Sequence, residues 1–146
     1  MEPLPSAEAA YPIDVADRHL RACGVRPDHS VILAGRDGLD AQLWLCRHRY
    51  RAVNHVTGDK SGGERADVVL LTDRIAPEAV EEAVRRARRL LADGGLLVTW
   101  SLDPRQAQDP VHAVLAAAGF DLARRVRQDE GELHLARLRS TERLAA

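Results

Sequence analysis

Two alternating patterns of apolar residues run along this chain, and together they predict an α/β fold. Short continuous apolar runs are typical of strands buried on both faces, whereas apolar residues every three or four positions are typical of helices packed on a core. Strands are predicted at 31–34, 52–56, 67–71 and 96–100, and as a hairpin at 120–127 and 132–139. Helices are predicted at 13–23, 39–50 and 110–118, and from Pro77 to the pair Gly94-Gly95.

Strands alternating with helices indicate a three-layer domain in which a mostly parallel sheet of six strands carries helices on both faces. We expect the strand order second, first, third, fourth, sixth, fifth, with the last strand antiparallel. Residues 1–12, which contain three prolines, are predicted to be a flexible arm, and residues 13–146 a single domain. In the second helix, the apolar residues expected to face the core are Leu39, Leu43, Cys46 and Tyr50.

A glycine-containing loop, residues 34–40, follows the first strand and precedes a helix. A strand, a glycine turn and a helix N-terminus are a common place for an anionic or dinucleotide-like ligand. The loop therefore marks the position of a candidate ligand site. Asp37 within it is interpreted mainly as the N-cap of the helix, with a polar contact to a ligand as the alternative.

The order of elements resembles the class I S-adenosylmethionine-dependent methyltransferases over roughly residues 13–139. The resemblance rests on a helix before the first strand, the glycine loop, the segment 91–98 with its Gly-Gly pair, and 117–120 opening a terminal antiparallel hairpin. It implies a Rossmann-like methyltransferase fold with S-adenosylmethionine as the cofactor. If the cofactor binds, the resemblance places it against Gly35, Arg36, Asp37, Gly38, Asn54 and Thr72.

Three departures from the family concern this cofactor. The loop keeps one family glycine, with Leu33, Asp37 and Leu39 at the other motif positions. The end of the second strand, 54–57, lacks the carboxylate that the family directs to the ribose. The family's next helix and strand are absent, because only about ten loop residues separate Val56 from the third strand. We therefore expect S-adenosylmethionine to bind weakly or not at all.

A second group of candidate residues lies at the predicted carboxyl ends of the parallel strands, where such sheets place functional groups. The alternative interpretation is ordinary loop polarity and a packed tryptophan. No metal is expected, because the spacing of Cys46, His48 and His55 matches no zinc pattern. The candidates for the pocket are His55, Asp73, Arg74, Trp100 and Ser101.

Composition limits the kinds of binding partner and the cellular compartment that we expect for this protein. The net charge of −1 gives no general attraction to nucleic acid or to an anionic membrane. The chain has no apolar run long enough for a membrane span. Its two cysteines, Cys23 and Cys46, form no paired motif, so we expect a reducing, cytoplasmic compartment.

These observations favour a methyltransferase-like domain that has lost catalysis and acts through protein–protein interaction or self-association. The contact is predicted at the strand 52–56, which becomes a sheet edge without the family's next strand. The alternative is a small active S-adenosylmethionine-dependent methyltransferase acting on a small molecule or a protein side chain. A nicotinamide or flavin enzyme is a weaker third hypothesis, because the loop matches one of three fingerprint glycines.

Overall fold

The computed structural model describes residues 11–35, 38–56, 65–101, 110–128 and 131–139. The strands are β1 (Ser30–Ala34), β2 (Ala52–Val56), β3 (Ala66–Ile75), β4 (Leu91–Ser101), β5 (Phe120–Gln128) and β6 (Gly131–Leu138). The helices are α1 (Ile13–Ala22), α2 (Gly38–Arg47), α3 (Val80–Leu90) and α4 (Pro110–Ala117), and a 3₁₀ turn, Pro77–Ala79, precedes α3.

The six strands form one sheet in the order β2-β1-β3-β4-β6-β5. The ladders β1–β2, β1–β3 and β3–β4 are parallel, whereas β6 runs antiparallel to both β4 and β5. The predicted fold class, strand order and single antiparallel strand are confirmed. Residues 57–64 lie outside the described part of the chain, so the absence of a seventh strand there stays a prediction.

Each face of the sheet carries its own apolar core. On one face, α1 and α2 cover side chains such as Leu33, Leu70 and Leu135. On the other face, α3 and α4 cover side chains such as Val69 and Leu97. Successive side chains of β1, β3 and β4 point to opposite faces of the sheet, and helices cover both faces. These strands are therefore apolar at nearly every position.

The predicted inner face of α2 is wrong. The helix buries Gly38, Ala41 and Leu45, and it ends at Arg47 rather than continuing to Tyr50. Leu39 and Leu43 are 60% and 47% exposed. The sequence pattern favoured the larger apolar side chains, but the close approach of α2 to the sheet requires the small residues Gly38 and Ala41 at the contact.

Tyr50 is nevertheless buried, in the turn that follows α2, and it anchors α1. Its hydroxyl donates a hydrogen bond to the Asp17 carboxylate, whose other oxygen accepts one from Arg21 Nε at 2.9 Å. Burial, together with the bond to Asp17, raises the pKa of the Tyr50 phenol, so the phenol stays protonated and keeps donating. This cluster was not predicted.

The strand bounds also differ from the pattern. β3 extends past the apolar run to Ile75, and the chain leaves α3 at Leu90 to become extended at Leu91, before the Gly94-Gly95 pair expected to end the helix. Gly94 instead has a φ of +77° inside an irregularity of the β3–β4 ladder. Tyr11, assigned above to the flexible arm, is buried at 6% exposure.

Candidate functional site

The glycine loop at the end of β1 begins with Gly35, which approaches the end of β3 closely. Its φ of +130° favours glycine, and a Cβ there would lie 2.4 Å from Thr72 Oγ1 and 3.0 Å from the Asp73 backbone nitrogen. Thr72 Oγ1 in turn donates to the Ala34 carbonyl over 3.2 Å. The glycine is therefore explained by packing of the loop on the protein's own third strand.

The second glycine of the loop, Gly38, is explained by a side chain from β2. A Cβ on Gly38 would lie 2.2 Å from His55 Cδ2 and 2.3 Å from His55 Nε2. The same Nε2 lies 2.9 Å from the Gly35 carbonyl oxygen, within hydrogen-bond distance. The imidazole thus fills the space that the missing Cβ leaves at the start of α2.

Of the six predicted cofactor-binding residues, Gly35, Gly38, Asn54 and Thr72 lie in the described part of the chain, and their role in binding stays a prediction. Thr72 is fully buried, and Asn54 is exposed on the face of β2 opposite His55. Arg36 and Asp37, including the proposed N-cap, lie outside the described residues. At Gly35 and Gly38, protein atoms occupy the space where a Cβ would lie.

An open cavity of about 760 Å³ lies beside the loop, on the face of the sheet that carries α3. Three of the five pocket candidates, His55, Asp73 and Arg74, line it. Its size is in the range of small-molecule sites. The remaining walls are formed by Ala34, Gly35, Val56, Leu71, Ile75, Ala76, Ala79, Ala83, Arg86, Ala87 and Leu90.

Sequence reasoning missed the contribution of α3 to this cavity. Ala79, Ala83 and Ala87 recur every four residues, so they form one stripe along the helix. This spacing was visible in the sequence, but small residues also occur at ordinary helix contacts. In the structure, all three alanines line the cavity.

Trp100 lies away from this cavity, on the α1 and α2 face of the sheet. It is 2% exposed, and its ring meets Tyr11 edge-on with 5.4 Å between centroids. The Arg74 guanidinium lies 5.6 Å from the centre of the Trp100 ring. Tyr11 Oη and Trp100 Nε1 are buried without a hydrogen-bond partner among the described residues, and burial raises the pKa of the Tyr11 phenol.

Ser101, the fifth candidate, is also buried and belongs to a different group. Its hydroxyl lies 3.4 Å from the Glu132 carbonyl. The Glu132 carboxylate, 3% exposed, lies 2.8 Å from Arg125 Nε and 3.0 Å from His134 Nε2. This buried ion pair ties β5 to β6 and was not predicted.

The three residues considered as metal ligands have different surroundings. His48 stacks on Trp44 and lies 2.7 Å from the Trp44 carbonyl through Nδ1, His55 contacts the glycine loop, and Cys46 is exposed. Among the described residues, no three His, Cys, Asp or Glu side chains form a group able to hold a metal ion. None of the described helices is long and apolar enough to cross a membrane.

Several solved structures share this architecture at low sequence identity. A ribosomal protein L11 methylase from Lactobacillus delbrueckii subsp. bulgaricus aligns with a TM-score of 0.69 and 11% identity, over 86% of this chain and 77% of that one. A magnesium protoporphyrin IX methyltransferase from Synechocystis PCC 6803, with bound SAH, aligns with a TM-score of 0.60 and 14% identity, over 86% and 81%.

A SAM-bound amino pentose methyltransferase from Micromonospora echinaspora aligns with a TM-score of 0.57 and 19% identity, over 90% of this chain and 93% of that one. No protein-family model and no curated protein sequence matches the chain. The chain therefore has the class I methyltransferase-like fold that the resemblance implied. At these identities the likeness establishes the fold and not the activity.

Proposed function

We propose that this chain is a methyltransferase-like domain that has lost catalysis and acts by associating with protein. The supporting observation is that the open sides of Gly35 and Gly38 are filled by Thr72, Asp73 and His55. In the family that the sequence resembles, bare glycine backbone at this loop is what lets the cofactor approach. At Gly35, the one family glycine that the loop keeps, this open side faces Thr72 and Asp73 of the protein itself.

The residues at the end of β2 also do not fit S-adenosylmethionine. The described part of this strand offers Asn54, His55 and Val56, none of which is a carboxylate able to accept hydrogen bonds from ribose hydroxyls. The His55 imidazole is engaged by the loop, because its Nε2 lies 2.9 Å from the Gly35 carbonyl oxygen. Neither the glycine loop nor the end of β2 fits S-adenosylmethionine. Both observations therefore support a function without this cofactor.

Isothermal titration of the purified full chain with S-adenosylmethionine, and separately with its demethylated product, tests this proposal. We expect no saturable heat at ligand concentrations up to about 1 mM, which corresponds to binding weaker than about 4 kcal/mol. Micromolar affinity would overturn the proposal. Thermal unfolding with and without the ligand gives an independent readout, since any ligand that binds the folded state raises the Tm.

An active methyltransferase with a reduced site remains the second candidate, and the cavity of about 760 Å³ is the observation that favours it. Asp73 places an exposed carboxylate on its wall, and a Cβ on Gly35 would lie only 3.2 Å from Asp73 Cγ. Among the described residues that line the cavity, Asp73 is the one carboxylate. If titration detects binding, Asp73→Asn should weaken it at least ten-fold, whereas Glu78→Gln outside the cavity should not.

A further inference from the structure

A cleft lined by arginines lies at the amino ends of β1 and β2, at the opposite edge of the sheet from the glycine loop. Its volume is about 460 Å³, which is within the range of small-ligand sites. Its walls are the segment that precedes β1 and the turn that precedes β2, and the Arg51 backbone nitrogen joins them by donating to the Pro27 carbonyl over 3.2 Å. The residues that line it are Arg26, Pro27, Asp28, Arg49 and Arg51.

The net charge of this cleft is positive, because three guanidiniums and one carboxylate line it. Arg26 Nε lies 3.5 Å from Asp28 Oδ1, and the two side chains are 71% and 62% exposed, so this pair is weak. Among the described residues, the guanidiniums of Arg49 and Arg51 make no ion pair and no side-chain hydrogen bond. Two cations therefore face the cleft without an anionic partner from the described chain.

Arg49 has a backbone conformation that an arginine seldom adopts. Its φ is +74°, and it is the one non-glycine residue with a positive φ in the described part of the chain. It lies just after α2, where its backbone nitrogen donates to the Cys46 carbonyl over 3.2 Å and that of Tyr50 donates to the Leu45 carbonyl over 3.0 Å. Helices that end in this way usually have glycine at the left-handed position.

Two other helices of this chain end in a comparable turn, and both have glycine there. Gly24 follows α1 with a φ of +91°, and Gly119 follows α4 with a φ of +93°. The turn after α1 has the same two backbone hydrogen bonds as the turn after α2. Glycine would therefore suit the position of Arg49, and the presence of a long cationic side chain needs a reason outside the turn.

The dipole of α2 does not supply this reason. A cation near a helix C-terminus is favourable, but Arg47 already provides one in the last turn, with an ordinary helical backbone. Arg49 is also not needed to satisfy the last carbonyls, because those of Leu45 and Cys46 accept hydrogen bonds from the backbone of the turn. What the Arg49 side chain does in this structure is line the cleft.

We infer that this cleft binds a compact polyanion, a small ligand that carries two phosphate groups. A guanidinium donates two parallel hydrogen bonds to a phosphate, so Arg49 and Arg51 match two such groups. Pro27 is the one apolar residue that lines the cleft, so the cleft offers little contact to a large apolar ligand. The inference goes beyond the proposed function and does not rest on it, because the glycine loop and the cavity lie at the other edge of the sheet.

Isothermal titration of the full chain with inorganic pyrophosphate, in a phosphate-free buffer of low salt, tests the inference. We expect saturable binding, at least ten-fold tighter than that of inorganic phosphate, which weakens as potassium chloride is added. Arg51→Gln should weaken pyrophosphate binding at least five-fold. The control is Arg89→Gln, which removes an exposed arginine on α3 and should leave the affinity unchanged.

Arg49→Gly separates binding from stability. Glycine suits a φ of +74°, so the Tm should not fall, whereas the affinity for pyrophosphate should fall at least five-fold. A purely structural role of Arg49 would give the opposite result, a lower Tm with unchanged affinity. Either a lower Tm or an unchanged affinity would overturn the inference.

Amide NMR spectra of the ¹⁵N-labelled chain locate the ligand. Pyrophosphate should shift the signals of residues 28–30 and 48–51 and leave those of Gly35, His55 and Asp73 in place. Absence of saturable binding, phosphate binding as tight as pyrophosphate, equal weakening in Arg89→Gln, or shifts confined to the carboxyl edge of the sheet would overturn the inference.

These outcomes are separable from those for the proposed function, because the two edges of the sheet are probed with different ligands. Micromolar binding of S-adenosylmethionine would reject the proposed function and leave the pyrophosphate result unaffected. Failure of pyrophosphate to bind would reject the cleft as a polyanion site and leave the cofactor result unaffected.

Discussion

In the described part of the chain, β2 and β5 are the two outer strands of the sheet, and their exposed side chains differ. β5 exposes arginines on both of its faces, and a register shift in its ladder changes the direction of its side chains between Leu122 and Arg124. β2 is five residues long and uncharged, and two leucines of the adjacent helix are exposed. The described residues of β5 therefore carry charge and a bulge at the edge of the sheet, whereas those of β2 carry neither.

β5 and β2 are also attached to the rest of the fold by different contacts. β5 is held by the ion pair from Arg125 to the buried Glu132 of β6 and by the bond between Arg124 and His19 of α1. β2 is held through the imidazole of His55 at the glycine loop and through Gln42 of α2. One of these two residues, His55, therefore also lies in the candidate ligand site.

The largest effect is expected at the β5 end, from Arg125→Met. Removing the guanidinium takes this partner from the Glu132 carboxylate, which is 3% exposed, while His134 Nε2 still lies 3.0 Å from it. Breaking a fully buried pair costs about 3–5 kcal/mol, and because Arg125 is itself 41% exposed we expect about 2 kcal/mol. Urea unfolding followed by circular dichroism measures this loss.

Arg127→Met is the matched control, because it removes an exposed arginine two residues along the same strand. Its effect should stay within about 0.5 kcal/mol. Combining Arg125→Met with Glu132→Gln should recover part of the stability, since the buried charge is then absent. Equal losses in the two arginine variants would show that general charge on β5, rather than the ion pair, stabilises this end.

At the β2 end, Gly38→Ala should destabilise the fold by about 1.5 kcal/mol. The new Cβ would overlap the His55 ring, and moving the ring would break its contact with the Gly35 carbonyl. In a His55→Ala background the same substitution should cost much less, because the ring is gone. A double-mutant cycle by urea unfolding measures this coupling, and additive effects would contradict the packing assigned to His55.

The fold could be predicted from the sequence because the residue patterns that indicate strands and helices are local and repeated. Apolar runs identified β1, β3 and β4, and the crossover pattern set their order. The side of α2 that faces the sheet was mispredicted, since Leu39 and Leu43 are apolar but exposed, whereas Gly38, Ala41 and Leu45 are buried. Helix periodicity reports an apolar stripe and not what covers it.

The site was harder to predict because its geometry depends on contacts between distant residues. The roles of Gly35 and Gly38 follow from Thr72 and His55, which approach them from β3 and β2. The five candidates at the strand ends were correctly placed near the carboxyl edge. However, the side-chain directions along β3 and β4 divide them between the cavity, the Trp100 cluster and the Glu132 pair.

Removing charges from β5 tests whether these charges prevent the strand from pairing with another copy. We expect Arg124→Thr/Arg127→Thr to introduce weak self-association at high concentration, worth less than about 1 kcal/mol because the bulge still interrupts the edge. Arg88→Thr/Arg89→Thr on α3 removes the same charge away from any edge and serves as control. Sedimentation velocity compares the two, and equal behaviour would mean that net charge rather than edge position controls association.

The smallest effect is expected where β5 contacts α1. Desolvation lowers the pKa of His19, and the positive charges of Arg124 and Arg18 lower it further, so the folded state favours the neutral imidazole that accepts a hydrogen bond from Arg124. As the pH falls through the ordinary histidine pKa of 6.5, the unfolded chain binds a proton more readily than the folded one, and stability decreases. His19→Gln keeps an acceptor without the titration, so its free energy of unfolding should fall less than that of the wild type between about pH 7.5 and pH 5.5. Urea unfolding at the two pH values measures the difference, and identical losses would show that His19 does not contribute to the pH dependence of stability.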